Sequence, residues 1–220
     1  MKLVTVQAAD GSIGAGEILE GQVRPFVPEF TVADVLAGAE PRFHTGYWPL
    51  EDVTLLAPVP DPGTVYAIGL NYAKHIEETG AQRPEFPIVF VKVRGSVAPP
   101  GGPIVCPEVV RRLDYEGELT IVMGAGGRIA GYCIADDVTA RDLQGREPQW
   151  TRAKGADSFC PLGPWVTTSD EVPDPENLRL RTWVNGDLRQ DSSTGDLIFG
   201  LREIVDFIAE TCTLQPGDLI

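Results

Sequence analysis

The hydrophobic positions first follow a two-residue rhythm. "MKLVTVQA", a polar turn at "ADGS" and then "IGAGEILEGQVRPFV" read as short strands joined by turns. The rhythm changes at "TVADVLAG", which predicts a short helix with Thr31 as N-cap and Gly38 ending it. A proline-rich joint at Pro58, Pro60 and Pro62 follows. It divides a small N-terminal α+β domain, residues 1–60, from a larger domain, residues 61–220.

In the larger part a strand ends at Gly69, and a turn or helix start carries Asn71, His75 and Glu78. "FPIVFVKV" is a strand, and "GSVAPPGGPIVCP" is loop plus strand. "LDYEGELTIVMG" runs to a "GAGG" turn, and "RIAGYCIADD" returns as its hairpin partner. "VTARDLQGR" predicts a short helix or helical turn, and "RLRTWVNGDLRQD" a hairpin with the Asn185-Gly186 signal of a type I′ turn. "GLREIVDFIAETCTL" shows the best helical period, through Ile204, Phe207, Ile208 and Cys212. Many strands and few helices predict a β-rich α+β fold over a βαβ alternation.

Composition narrows the function. Of 220 residues, 43% are hydrophobic, enough for a substantial core. No apolar run approaches the ~18 residues of a membrane span. The N-terminus lacks the apolar stretch of a secretory signal, so the cytoplasm is the expected location. The formal net charge of −14 argues against nucleic acid, and an anionic substrate would need local cations or a metal. Four cysteines without a C-x-x-C pair read as reduced thiols, not as a zinc site.

The chemistry concentrates in three places. On a strand, Glu116 and Glu118 share one face, about 7 Å apart along the chain. Two carboxylates there repel unless a cation lies between them. A third acid from the partner strand, Asp136 or Asp137, would complete an oxygen-rich site for a hard divalent ion. The plainer alternative is an edge strand with its acids in solvent. His75 and Glu78, spaced i, i+3, form a second constellation, in which a carboxylate orients an imidazole as general base. The alternative is an ordinary exposed pair. Lys154 lies between an apolar segment and a Gly-rich turn, where it could neutralise a carboxylate or stabilise an oxyanion. Arg141 and Gln144 sit i, i+3 on "TARDLQ" and by themselves read as surface residues.

Together the blocks "IGLNYAKHIEE", "LDYEGEL", "DDVTARDLQ", "QWTRAKGADSFCPLGPW" and "VNGDLRQ" resemble, in order, those of the fumarylacetoacetate hydrolase family. The resemblance spans roughly Val65 to Ile220, and residues 1 to about 60 resemble the small N-terminal domain of bacterial members. It implies a mixed β-sandwich roll, usually as a homodimer. It further implies Mg²⁺ or Mn²⁺ on Glu116, Glu118 and Asp137 rather than Asp136, a His75–Glu78 dyad, an active-site Lys154, and substrate binding by Arg141 and Gln144. The implied substrate is a small 2-oxo acid. The implied reaction is hydrolytic C–C cleavage of an acylpyruvate such as fumarylpyruvate through a metal-stabilised enolate. Isomerisation of a 2-hydroxyhepta-2,4-diene-1,7-dioate type, decarboxylation of oxaloacetate and a non-catalytic metal-binding member are the alternatives. Two departures stand out. The "GAGG" turn is short where many members carry a helix-bearing insertion. The chain also stops at "LQPGDLI", ahead of the family's Thr-Gly-Thr-Pro loop and later strands, which implies that the C-terminal part of the catalytic domain is missing.

Overall fold

The computed structural model describes residues 1–220. Strands β1 (Lys2–Gln7) and β2 (Ile13–Leu19) pair antiparallel across the polar turn, and β3 (Gln22–Pro25) follows on β2. Helix α1 (Val32–Leu36) begins at Thr31. Thr31 Oγ1 accepts from the Asp34 N–H at 3.3 Å, and Asp34 Oδ2 accepts from the Thr31 N–H at 2.7 Å. Such a capping box satisfies helix-end donors and contributes about 1 kcal/mol. Gly38, at φ +97°, turns the chain away just past the helix. Two short strands, β4 (Trp48–Pro49) and β5 (Thr54–Leu55), add to β3 and β1.

Beyond the prolines, β6 (Val65–Gly69) and β7 (Ile88–Lys92) pair antiparallel, with helix α2 (Ala73–Thr79) in the connection between them. Then come β8 (Val97–Ala98), β9 (Leu113–Asp114), β10 (Gly117–Met123) and β11 (Ile129–Asp136). The "GAGG" segment is a tight turn in which Gly126 and Gly127 both take positive φ. Strand β12 (Thr139–Ala140) leads into α3 (Arg141–Gln144) and α4 (Thr151–Lys154), followed by the long β13 (Cys160–Thr168). The last elements are the hairpin β14 (Arg179–Val184) and β15 (Asp187–Ser193), and helix α5 (Leu201–Ala209). Asn185 and Gly186 turn the hairpin with φ +53° and +87°, the left-handed pair a type I′ turn needs.

Nine strands form one sheet in the order β10-β11-β13-β1-β2-β3-β4, with β5 on β1 and β8 on β13. Residues 1–60 thus extend the sheet of the larger part, since Lys2 and Leu3 pair with Thr167 and Val166. Leu3, Phe26 and Phe30 share one core with Val122, Cys133, Leu162 and Leu219. Val4 and Val6, on the opposite face of β1, pack with Val23. The strand is buried on both faces from Leu3 to Val6, Thr5 included.

Helix α5 buries Leu201, Ile204, Val205 and Ile208 over Ile121 and Met123 of β10. Phe207, expected on that face, is instead half-buried and stacks on Phe86, 6.4 Å between ring centres. The buried stripe runs i, i+3, i+4, i+7 from Leu201, so Val205 takes the inner place. Residues 217–220 thread between β6 and β10. The Leu219 carbonyl accepts from the Tyr66 N–H at 2.9 Å, and the Ile220 carbonyl accepts from the Ile121 N–H at 2.8 Å. That segment ties the β6–α2 unit to the strand carrying Glu118.

Candidate active site

The site grows from the end of β10. Period two puts Glu118 on the same face as Thr120 and the core residue Val122. Glu116 lies just before β10, in the break that separates it from β9, so "LDYEGEL" is two strands and not one. Gly117 faces Asp136 across the ladder. This register assigns the two neighbouring aspartates. Asp136 Oδ1 accepts from the Glu116 N–H at 2.9 Å, and the Asp137 N–H donates to the Glu116 carbonyl at 2.7 Å. Asp136 therefore holds backbone, while Asp137 turns its side chain inward beside Glu116.

Three cations meet these acids. Lys154 Nζ bridges Glu116 Oε2 at 2.5 Å and Asp137 Oδ2 at 2.6 Å. Arg141 Nη2 reaches Glu116 Oε1 at 2.6 Å, and its Nε reaches Asp114 Oδ2 at 2.8 Å. Lys92 Nζ donates to Asp137 Oδ1 at 2.6 Å and to the Lys154 carbonyl. Lys92 and Lys154 are only 2% and 3% exposed. Charges this deeply buried require partners, and here every ammonium has one. Gln144 accepts from Arg141 Nη1 at 2.9 Å, which fixes the guanidinium toward Glu116. Burial lowers the affinity of Arg141 for its proton, but Glu116 and Asp114 outweigh it and hold the group firmly charged.

Glu118 differs from the other two acids in having no ion pair. Burial, the charge of Glu116 and the charge of Asp137 push its carboxyl up to about 8, against a smaller downward pull from the Tyr72 hydroxyl and Lys154. Tyr72 is in turn driven far above the ordinary phenol range by burial and by Glu118. Cys160 also lines the space, but burial pushes its thiol up to about 11, which removes it as a nucleophile near neutral pH.

The eight residues that the family resemblance marks, His75, Glu78, Glu116, Glu118, Asp137, Arg141, Gln144 and Lys154, all line one cavity of about 830 Å³, and Asp136 does not. They are not equally engaged. Asp137, Glu116, Lys154, Arg141 and Gln144 form one bonded network. His75 and Glu78 sit on α2, both exposed, and make no hydrogen bond to each other. Lys92 and Asp114 went unnoticed in the sequence. Lys92 has a readable signal: period two puts it on the same face of β7 as Ile88 and Phe90, and that is the inner face. Asn71 is structural, since its side-chain amide bonds both backbone groups of Phe199 and anchors the start of α2.

The donor set suits a hard divalent cation. It is all oxygen, carboxylate in kind, and concentrated on one wall. As the side chains stand, no three acid, histidine or cysteine groups close into an ion cage. The Lys154 ammonium stands between Glu116 and Asp137, as a cation would. Glu118, beside them and without an ion pair, is the group that further positive charge would relieve.

The family profile for the fumarylacetoacetate (FAA) hydrolase C-terminal domain matches residues 64–220. The chain belongs to the fumarylacetoacetate hydrolase family. Its members are hydrolases or isomerases and tautomerases, and the chain is an enzyme of this kind with the family's β-rich α+β fold. Protein Rv2993c of Mycobacterium tuberculosis is 44% identical over 190 residues, which are 82% of this chain and 71% of that protein. The mitochondrial oxaloacetate tautomerase Fahd2a of Rattus norvegicus is 38% identical over 183 residues, 78% of this chain and 58% of that protein. Among solved structures, 5-carboxymethyl-2-hydroxymuconate delta-isomerase from Mycobacterium smegmatis superposes with a TM-score of 0.86 at 36% identity, over 100% of this chain and 86% of that one. Maleylpyruvate hydrolase from Sphingobium sp. SYK-6, solved with manganese(II) and pyruvate, superposes with a TM-score of 0.79 at 26% identity, over 100% of this chain and 87% of that one.

Proposed function

We propose that this chain is a divalent-metal-dependent enzyme that enolises a 2-oxo acid, with Glu116, Glu118 and Asp137 as ligands of Mg²⁺ or Mn²⁺. The observation carrying this reading is the convergence of three carboxylates on one cavity wall, with Glu118 lacking any ion pair. A bound divalent ion would supply Lewis-acid stabilisation of negative charge on substrate oxygen. It would also reconcile the chain's net charge of −14 with an anionic substrate, because a local double charge outweighs a distant field.

The protein's own groups have separate tasks. Arg141 is held by Asp114, Glu116 and Gln144, so its guanidinium enters the cavity with a fixed orientation and can meet a carboxylate. Lys154 places a buried ammonium beside the reacting region, where it stabilises a developing oxyanion. Phe90 and Trp150, edge to face at 5.4 Å between ring centres, give the same cavity an apolar wall. His75, on α2, is the group able to take a proton from substrate carbon or from water.

Two reactions in which a 2-oxo acid enolate arises, by deprotonation at carbon or as the leaving group of C–C cleavage, suit this set of groups. Keto–enol or double-bond isomerisation stands first. It needs one base, and it is the kind of reaction for which the rat tautomerase and the M. smegmatis isomerase are named. Hydrolytic C–C cleavage of an acylpyruvate stands second. It is favoured by His75 and Glu78 lining the cavity from one helix, and it is the kind of reaction for which the Sphingobium hydrolase is named. A panel of oxaloacetate and acylpyruvates, followed by enol absorbance with Mg²⁺ and with EDTA, decides between them. His75→Ala should lower turnover of the accepted substrate about 10²–10⁴-fold, the usual contribution of a general base. Full activity in EDTA would remove the metal from the scheme, and near-full turnover of His75→Ala would remove the base.

A further inference from the structure

We propose that Gln190, on the hairpin strand β15, is a positioning residue that sets the aim of Glu116 and Glu118. The proposal rests on the metal-site reading above. Its basis is the peptide group of Gly117, the residue between the two glutamates. Gln190 Oε1 accepts from the Gly117 N–H at 2.8 Å, and Gln190 Nε2 lies 3.5 Å from the Gly117 carbonyl oxygen, at the outer limit of a hydrogen bond. The amide thus presents its acceptor and donor to the donor and acceptor of one residue.

The glycine itself points to the same contact. A Cβ on Gly117 would meet Thr182 Oγ1 at 2.5 Å and Gln190 Oε1 at 3.3 Å. Gly117 has no need of glycine on conformational grounds, since its φ is not positive. The absence of a side chain is what lets β14 and β15 lie against the segment. The backbone of Glu116 is held from the other side by Asp136 and by the Asp137 N–H, both belonging to the β11 end of the ladder. Gln190 is the side chain that bonds the backbone of the Glu-Gly-Glu segment from outside that ladder.

The hairpin does not depend on Gln190 for its own folding. Its two strands pair with each other, and Thr194 at its base bonds the Pro175 carbonyl and the Leu178 N–H. Trp183 and Leu188 are exposed, so its outer part lies outside the core. Loss of Gln190 should therefore loosen the carboxylate pair without unfolding the protein. Groups that orient metal ligands indirectly typically change affinity about 10–100-fold.

The test uses the full chain and Mn²⁺ alone, with calorimetric dissociation constants and melting temperatures in EDTA. Gln190→Met should weaken Mn²⁺ about tenfold while the metal-free melting temperature stays within a few degrees of wild type. Gln190→Glu, which keeps the acceptor and lacks the donor, should fall between. Gly117→Ala should also weaken Mn²⁺, and Gly117→Ala combined with Thr182→Ala should recover part of the loss. That pair decides the matter if Gln190→Met does not fold. Wild-type affinity in Gln190→Met, with wild type itself binding, overturns the positioning role and leaves the metal site standing. Weakening that tracks a large fall in metal-free stability overturns it too, because a purely structural role gives that result. No saturable Mn²⁺ binding by wild type overturns the metal-site reading and this proposal with it.

Discussion

Asp137→Ala should melt roughly 10 °C below the wild-type protein and lose Mg²⁺ or Mn²⁺ binding. Asp137 is 9% exposed and holds Lys92 through one oxygen and Lys154 through the other. Its removal leaves Lys92 with only the Lys154 carbonyl, and Lys154 with only Glu116. Breaking a buried pair by deleting one partner costs about 3–5 kcal/mol, because the remaining charge keeps its desolvation penalty. For a domain of this size each kcal/mol moves the melting temperature by about 2–4 °C. Asp137→Asn, which keeps the shape and one acceptor, should cost less. Differential scanning calorimetry in EDTA separates the stability effect from the metal. A melting temperature for Asp137→Ala within 1–2 °C of wild type would mean that the two lysines are not held as described.

Glu118→Gln should act in the opposite direction on stability while removing the metal. In the folded protein the Glu118 carboxyl is pushed up to about 8 from its ordinary value of 4.5. Between those values the folded state holds a proton that the unfolded chain gives up. Stability therefore falls as pH rises through that window: the contribution of Glu118 is intact below about 4.5 and is lost by about 8. Gln carries no titrating proton, so the metal-free variant should lack this decline and should be the more stable protein at pH 8 and above. The same substitution removes a carboxylate of the proposed metal site, so metal affinity should fall by more than the roughly 10–100-fold of an indirect change. In wild type, loading metal near pH 7 should release about one proton, because ligands bind deprotonated. Melting curves in EDTA from pH 5 to 8.5, and metal titrations in buffers of different ionisation enthalpy, measure both. A wild-type curve that rises across that range would contradict the account of Glu118.

Much of the candidate site is legible in the sequence. The two-residue period puts Glu116 and Glu118 on one face without saying whether that face is buried, and the hairpin partner of their strand offers a third acid. The period could not choose between Asp136 and Asp137, because they adjoin at the strand's end. In the structure the Gly117–Asp136 register gives Asp136 the Glu116 N–H, and Asp137 is the one that lines the cavity. Lys92 was missed because a lysine ending an apolar strand reads as a polar exit to solvent; only the face it shares with Ile88 and Phe90 marks it as inward. The role of Gln190 was hidden for another reason: its partner is a backbone group 73 positions earlier, and no local pattern records such a contact. In α5, Phe207 was placed inside on period alone, yet the stripe counted from Leu201 favours Val205. The fold class was legible because strands predominate. The joining of residues 1–60 to the main sheet was not, since it depends on β1 meeting β13 across 165 residues of chain, Lys2 against Thr167.

The central claim is that Glu116, Glu118 and Asp137 form one divalent-metal site that a 2-oxo acid completes. Mn²⁺ titration followed by electron paramagnetic resonance, with and without oxalate as an enolate mimic, tests it most directly. The account predicts one saturable site in the wild-type chain, tightened by oxalate and absent in Glu118→Gln. Saturable binding of unchanged strength in Glu118→Gln, or no saturable site in the wild-type chain, would contradict it.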